Sequence, residues 1–452
     1  MNKLTVISFA AGALFTSVCA AKSQETQFVE GSWQGNLSIT AEKSMEMVFH
    51  FKKVESGFKA TVDVPVQQQF GLEFNKVIVN GDKVELAMDV ANMKYSATFS
   101  SNEITGTYSQ GAFKAPLTLV PATKTAMRQK KIQENFDNLP YSVEQVQFSS
   151  ITGEHQLSGT LSYPAGDIKS VAILLSGSGP TTRDADAFGH KVFAVLADQL
   201  TRQNVAVLRY DDRGVGKSTG DFSAATSKDF ANDANAAYQF IANNLKFKSS
   251  NIGFIGHSEG GLIGAIAAAE NPNVDFFVSL AGPGTSGAQI LIDQSFHIQQ
   301  LRGMDKERLE KDDRLQKEVV SAIADGISEE MLIKLLVNQK VPVAQAKAQA
   351  KQMTSPWFEF FVKEDPKKYL SQLHIPVLAL NGELDAQVLA DQNIAGIKQA
   401  VNSSKLTTTI YAGLNHLFQP AVTGLPEEYS QIDITFSEQV SIDISRWIKS
   451  LG

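Results

Sequence analysis

The residues best placed to do chemistry in this chain are Gly256-His257-Ser258-Glu259-Gly260. The segment fits Gly-x-Ser-x-Gly. It lies between an apolar run, 252–255, and a small-residue stretch, 261–269, which predicts a strand, a sharp turn and a helix. The reason is steric. A nucleophile raised on so tight a turn leaves no room for side chains two residues to either side, and both positions are glycine. The turn would aim the backbone N–H of Glu259 at an oxyanion, and the start of the helix adds positive potential there. A serine hydroxyl is a poor nucleophile near neutral pH, so it needs a base, and the base needs an orienting carboxylate. Asp385 follows the apolar run 376–380 in Gly382-Glu383-Leu384-Asp385, and His416 follows the run 406–411 in Gly413-Leu414-Asn415-His416. Both fall where strands end, as Ser258 does, and the order Ser, Asp, His suits a nucleophile, its acid and its base. Glu383 is the competing carboxylate. A second oxyanion donor is expected after the run 171–175, in Ser176-Gly177-Ser178-Gly179-Pro180, and is assigned to the N–H of Ser178; the plainer reading of that segment is a glycine-rich turn.

Other chemistries are excluded. Asp211 to Ser218 (DDRGVGKS) ends like a phosphate loop, but Asp211 stands where such a loop needs glycine, so it reads as a loop near the site, with Arg213 tied to carboxylates. No histidine pair has metal-ligand spacing, so neither metal nor cofactor is expected. A formal net charge of −7 does not point to nucleic acid, whose binders need a basic surface to displace counterions. The single cysteine, Cys19, leaves no disulfide framework.

The elements that must position these residues fall into distinct zones. The start of the chain reads as an export signal: Lys3, an apolar stretch over 4–15 too short to span a bilayer, and Val18 and Ala20 before a cut after Ala20. The mature chain is then expected to be periplasmic or secreted, with no transmembrane segment; the alternative is a lipoprotein anchored at Cys19. Residues 25–122 alternate apolar and polar positions, as at Met47, Phe49, Phe51 and at Phe58, Ala60, Val62, Val64, with turn signals such as Asn80-Gly81 between the runs. This predicts a small antiparallel β domain, a sandwich or partial barrel. Its lone histidine, His50, reads as a strand residue rather than a ligand. Residues 123–140 form a basic linker with a short helix. From 141 to 452 apolar runs alternate with helical stretches, a doubly wound, mostly parallel α/β sheet. A strand-poor insertion at about 285–370 reads as a helical cap over the sheet's carboxyl edge, where such folds bind ligands.

Segments 176–184, 210–220, 256–261, 355–361, 381–388 and 414–419 together resemble the α/β-hydrolase superfamily, and within it the bacterial EstD-type carboxylesterases grouped with serine aminopeptidase-like hydrolases. The resemblance covers roughly 145–452. It implies Ser258 as nucleophile, Asp385 as acid, His416 as base, and a small-molecule ester of short acyl chain as substrate. It departs at Ser176, where many such enzymes carry histidine. The alternatives are an exported peptidase with the same triad, for which the cap acids Glu329, Glu330 and Glu359 could grip an ammonium group, and a lipid- or glycan-binding protein with a degenerate hydrolase domain.

Overall fold

A computed structural model of the chain describes residues 30–122, apart from 40–43, 55–56, 66–68, 101 and 112, and residues 131–452. The export signal and Cys19 lie outside the described residues. No helix among them is long and apolar enough to cross a membrane.

The alternating runs of the N-terminal region become β1 (Gly31–Ser38), β2 (Ser44–Val54), β3 (Gly57–Val64), β4 (Gln69–Glu73), β5 (Lys76–Asn80), β6 (Lys83–Met88), β7 (Met93–Ser100), β8 (Glu103–Gln110) and β9 (Phe113–Pro121). They form one antiparallel sheet, ordered β4-β3-β2-β1-β9-β8-β7-β6-β5. It is a half-barrel rather than a sandwich. Period-two spacing sends one set of side chains to a single core, including Met47, Phe49, Phe51, Val62, Tyr95 and Tyr108. His50, on β2, faces away from that core and hydrogen-bonds Ser32 and Asp63. In the segment that follows, the described part of the expected helix is one turn, Ile132–Glu134.

The second sheet holds β10 (Ser142–Ser149), β11 (Gln156–Tyr163), β12 (Ser170–Leu175), β15 (Ala206–Tyr210), β16 (Asn251–His257), β17 (Phe276–Leu280), β18 (Val377–Gly382) and β19 (Leu406–Tyr411); β13 (Asp186–Ala187) and β14 (His190–Lys191) form a separate short hairpin. The order is β10-β11-β15-β12-β16-β17-β18-β19. β10 and β11 are antiparallel and the rest run parallel from β15 to β19. Alternation now serves two buried faces. Val171, Ile173 and Leu175 of β12 join a core with α2 (Ser227–Ala242), α3 (Glu259–Glu270) and α10 (Ala390–Ala400), while Ala172 and Leu174 join one with α1 (Val192–Arg202) and α12 (Glu438–Lys449). β12 pairs with β15 on one side and β16 on the other, so the chain reverses direction across the sheet there. The loops after β12 and β16 therefore open a crevice between them.

Between β17 and β18 the chain leaves the sheet for α4 (Gly287–Leu301), α5 (Lys306–Ala324), α6 (Glu329–Asn338), α7 (Val343–Met353), α8 (Pro356–Lys363) and α9 (Lys367–Leu370); the short α11 (Pro426–Tyr429) follows β19. The inserted helices share a small core of their own, with Val319, Ile323, Leu332, Leu336, Ala346 and Val362. Asp305, Ser328 and Ser355 each accept a backbone N–H at the start of α5, α6 and α8, closing three of the turns.

Candidate active site

β16 runs into α3 with Ser258 between them at φ 56° and ψ −125°, a conformation that costs any residue with a Cβ. What sustains it is visible in the flanking glycines. A Cβ at Gly256 would lie 1.9 Å from the Gly260 carbonyl oxygen, and one at Gly260 would lie 2.2 Å from the Leu175 carbonyl oxygen. The Ser258 amide is tied to the Leu280 carbonyl at the end of β17, at 2.9 Å. The elbow is thus clamped between β12 and β17. Ser258 itself is half-buried, and its Oγ makes no hydrogen bond among the described residues; such limbs often tighten only when substrate binds.

Asp385 and His416 meet beside it. The buried Asp385 carboxylate takes His416 Nδ1 at 2.8 Å on one oxygen, with Asn381 Nδ2 at 3.1 Å on the same atom. Its other oxygen takes the backbone N–H groups of Gln387 and Val388, both at 2.8 Å. Glu383 is exposed and takes the Gly413 N–H instead, so the competing carboxylate is turned away from His416. The His416 loop is braced from inside by Asn415, fully buried, whose Oδ1 accepts from the N–H groups of Leu417 and Gln419. His257, the residue before Ser258, joins the two halves of the site. Its Nε2 donates to the His416 carbonyl at 2.9 Å, and the two rings lie 4.8 Å apart. Burial, aided by the neighbouring His416, pushes the His257 imidazole down to about 4, so it is neutral at physiological pH.

The loop after β12 is pressed onto the elbow: a Cβ on Gly177 would come within 3.1 Å of Ser258 Cβ. Its hydrogen bonding, uncertain in the sequence because Ser176 replaces the usual histidine, runs to a carboxylate. Ser176 Oγ donates to Asp212 Oδ1 at 2.6 Å, and the Thr181 N–H to Asp212 Oδ2 at 2.9 Å, so one side chain holds both ends of the loop. Burial raises Asp212 to about 8, against those two hydrogen bonds. The Glu259 side chain is also buried, takes Ser227 Oγ at 2.6 Å and Trp357 Nε1 at 2.8 Å, and is pushed up by burial. Sequence reasoning used only the backbone of Glu259 and passed over Asp212, Trp357 and Asn415.

The segment 211–218 is closed to a phosphate. A Cβ on Gly216 would lie 2.6 Å from Asp211 Oδ2, and that carboxylate already takes Lys217 N and the Arg183 guanidinium. Arg213 bonds Asp233 at 2.7 Å, in keeping with its reading as a structural tie.

The family profile described as serine aminopeptidase, S33, matches residues 190–419, just over half of the chain and all of Ser258, Asp385 and His416. The chain belongs to the serine aminopeptidase S33 family. As an S33-type α/β-hydrolase it is 23% identical to Esterase EstD of Thermotoga maritima over 298 residues, 65% of each protein. The chain thus spans just under two thirds of that relative's length. Among solved structures it is similar to the Pyrococcus furiosus esterase Pf2001, at 16% identity and a TM-score of 0.44, covering 69% of this chain and 92% of that one. It is also similar to dienelactone hydrolase from Anabaena variabilis, at 16% identity and a TM-score of 0.41, over 69% and 98%. The S33 match leaves out the half-barrel and the loop holding Ser178.

Proposed function

We propose that this chain hydrolyses small carboxylic esters through an acyl-enzyme on Ser258. The observation that carries the reading is the 2.8 Å contact of buried Asp385 with His416, beside a serine held at positive φ. His416 Nε2 takes the Ser258 proton as Oγ bonds the ester carbon and the carbonyl electron pair moves onto oxygen. The N–H groups of Glu259 and Ser178 hold that oxyanion. The bond to the alcohol oxygen then breaks, and the alcohol leaves with the proton from His416. Water repeats the cycle and releases the acid. Asp385 keeps Nδ1 protonated and balances the imidazolium. The name of the Thermotoga relative supports an ester as substrate.

The S33 description favours a second reading, an aminopeptidase with the same three residues. Such an enzyme needs carboxylates to hold an ammonium group. Glu329 and Glu330 are exposed at the start of α6, Glu330 pairs with Lys334, and Glu359 lies 4.0 Å from Lys363, which supports the ester instead. The test is a panel of p-nitrophenyl esters, acetate to decanoate, beside aminoacyl p-nitroanilides, with and without a serine-reactive phosphonate. The ester reading expects fast release from the short esters, abolished by the reagent, with added mass on Ser258. Faster turnover of the anilides would replace it with the peptidase. The chain is further proposed to be exported after cleavage behind Ala20, which a mature N-terminus at Ala21 would establish and a lipid mass on Cys19 would overturn.

A further inference from the structure

The Glu259 side chain has no place in the mechanism above, yet it is 2% exposed and lies one residue from the nucleophile. A buried carboxylate is costly unless its oxygens are taken by donors. Its donors come from two separate parts of the fold. Ser227, in the first turn of α2, and Trp357, near the start of cap helix α8, share Oε1 at 2.6 and 2.8 Å. The next residue, Gly260, lies against the loop after β12 that holds Ser178: a Cβ there would come within 2.8 Å of the Ser176 carbonyl oxygen. We propose that Glu259 is a positioning residue that ties the seating of α8 to the placement of the Ser178 loop. The inference rests on the ester-hydrolase reading of the site.

The coupling follows from the count of donors. With Trp357 in place, two donors stabilise the buried carboxylate, and each bond to an ionised oxygen is stronger than a neutral one. If α8 lifts, Glu259 loses the indole N–H, and burial favours its protonated form. A protonated Glu259 is itself a donor, so its bond with Ser227 must rearrange, and the first turn of α3, packed on the loop at Ser176, shifts with it. Ser178 carries the proposed oxyanion N–H, and the Glu259 backbone supplies the other. A change at α8 therefore reaches both donors without touching Ser258. Trp357 is held for this by its stacking on Phe361, with ring centroids 5.6 Å apart.

The test uses the full chain and p-nitrophenyl butyrate. Trp357→Phe keeps an aromatic ring to face Phe361 and removes the N–H together with part of the indole's volume. The expected result is a kcat lowered about tenfold with KM changed less than about twofold, the mark of an interaction expressed in the transition state. Combined with Ser227→Ala or Glu259→Gln, Trp357→Phe should add little further loss, because all three act through one carboxylate. A kcat within twofold of wild type, a rise in KM alone, or losses that multiply in the double variants would overturn the proposal. If Glu259→Gln does not fold, the Trp357 and Ser227 pair carries the test alone. Phosphonate labelling of Ser258 in the unaltered chain tests the underlying reading separately: an unlabelled Ser258 would end that reading, whatever the cap variants do.

Discussion

Among the described residues two sets of serine, histidine and aspartate can be compared, and they are built differently. In the half-barrel, Ser32 Oγ and His50 Nδ1 lie 2.7 Å apart across β1 and β2, His50 Nε2 meets Asp63 at 2.7 Å, and Asp63 also takes the Gly71 N–H. By distances alone this is the more complete relay, because its serine limb is closed. At the sheet edge the Ser258 limb is open and only His416 and Asp385 are joined. Yet Ser32 sits in the regular ladder of β1, its carbonyl engaged by the Ala122 N–H. Ser258 sits on a clamped turn at positive φ that opens α3, with a glycine loop against it. The ring nitrogens differ too: Asp385 takes Nδ1 and leaves Nε2 for the serine, whereas Ser32 and Asp63 use them the other way round. A serine–histidine–aspartate chain is thus a common way to satisfy polar groups. What marks a candidate for acyl transfer is the backbone around the serine, which must present N–H groups to an oxyanion.

The sharpest way to break this comparison is to remove each serine. Ser258→Ala should lower kcat on short p-nitrophenyl esters by on the order of 10³-fold or more. Ser32→Ala should leave it within about twofold, since a half-exposed hydroxyl on a strand contributes at most about 1 kcal/mol to local stability. Tryptic mapping after phosphonate treatment should find mass on Ser258 and none on Ser32. Label on Ser32, or equal losses from the two variants, would mean that hydrogen-bond geometry alone makes the nucleophile.

The sequence reading divides along the same line. The elbow was legible because its requirements are local: glycines two residues to either side of Ser258, a strand before and small residues after. β12 covers the apolar run 171–175 because a strand covered on both faces need not alternate. β10 went unread for the opposite reason. It is an edge strand exposed over most of its length, and only Val146 and Phe148 near its end alternate inward. The Ser32–His50–Asp63 set lies on three strands, of which β2 and β3 showed clear alternation, but register is a tertiary fact, so His50 could be placed on a strand and not between its partners. The two buried carboxylates were hidden likewise. Asp212 meets Ser176 across 36 residues and Glu259 meets Trp357 across 98, and no spacing in a sequence reports such contacts.

Glycine substitutions sharpen the comparison at lower amplitude. Gly256→Ala forces a Cβ to within 1.9 Å of a backbone oxygen that cannot withdraw without opening the elbow, and should cost roughly 3 kcal/mol or more. Gly81, in the β5–β6 turn, has φ +60° and nothing within 4 Å of an added Cβ, so Gly81→Ala meets only the left-handed backbone penalty of about 1 kcal/mol. Urea unfolding followed by far-ultraviolet circular dichroism should rank the two in that order. A Gly256→Ala chain as stable as wild type would show that the elbow is not clamped as its neighbours indicate.

The remaining effects concern pH, because His257, next to Ser258, and Asp212, bonded to both ends of the Ser178 loop, shift in opposite directions. His257 falls from 6.5 in the unfolded chain to about 4 when folded, through burial and the nearby His416. Between those values the unfolded chain binds the extra proton, so the contribution of neutral His257 is complete above about pH 6.5 and is lost as pH falls through 4. Asp212 rises from 3.8 to about 8, chiefly through burial. Here the folded chain holds the extra proton, so its contribution is complete below about pH 3.8 and is lost as pH rises through 8. The two slopes oppose each other in mildly acid solution, and from pH 6.5 to 8 that of Asp212 acts without the other. Asp212→Asn cannot ionise and keeps an oxygen for Ser176 or Thr181, so it should flatten the decline in melting temperature over pH 6.5–8. His257→Asn should instead remove the slope that offsets Asp212 between pH 4 and 6.5, so that melting temperature falls with rising pH across that range. If Asp212→Asn leaves the alkaline decline unchanged, the carboxylate that holds both ends of the Ser178 loop is already ionised at neutral pH, and the loop is held by charge rather than by a buried neutral acid.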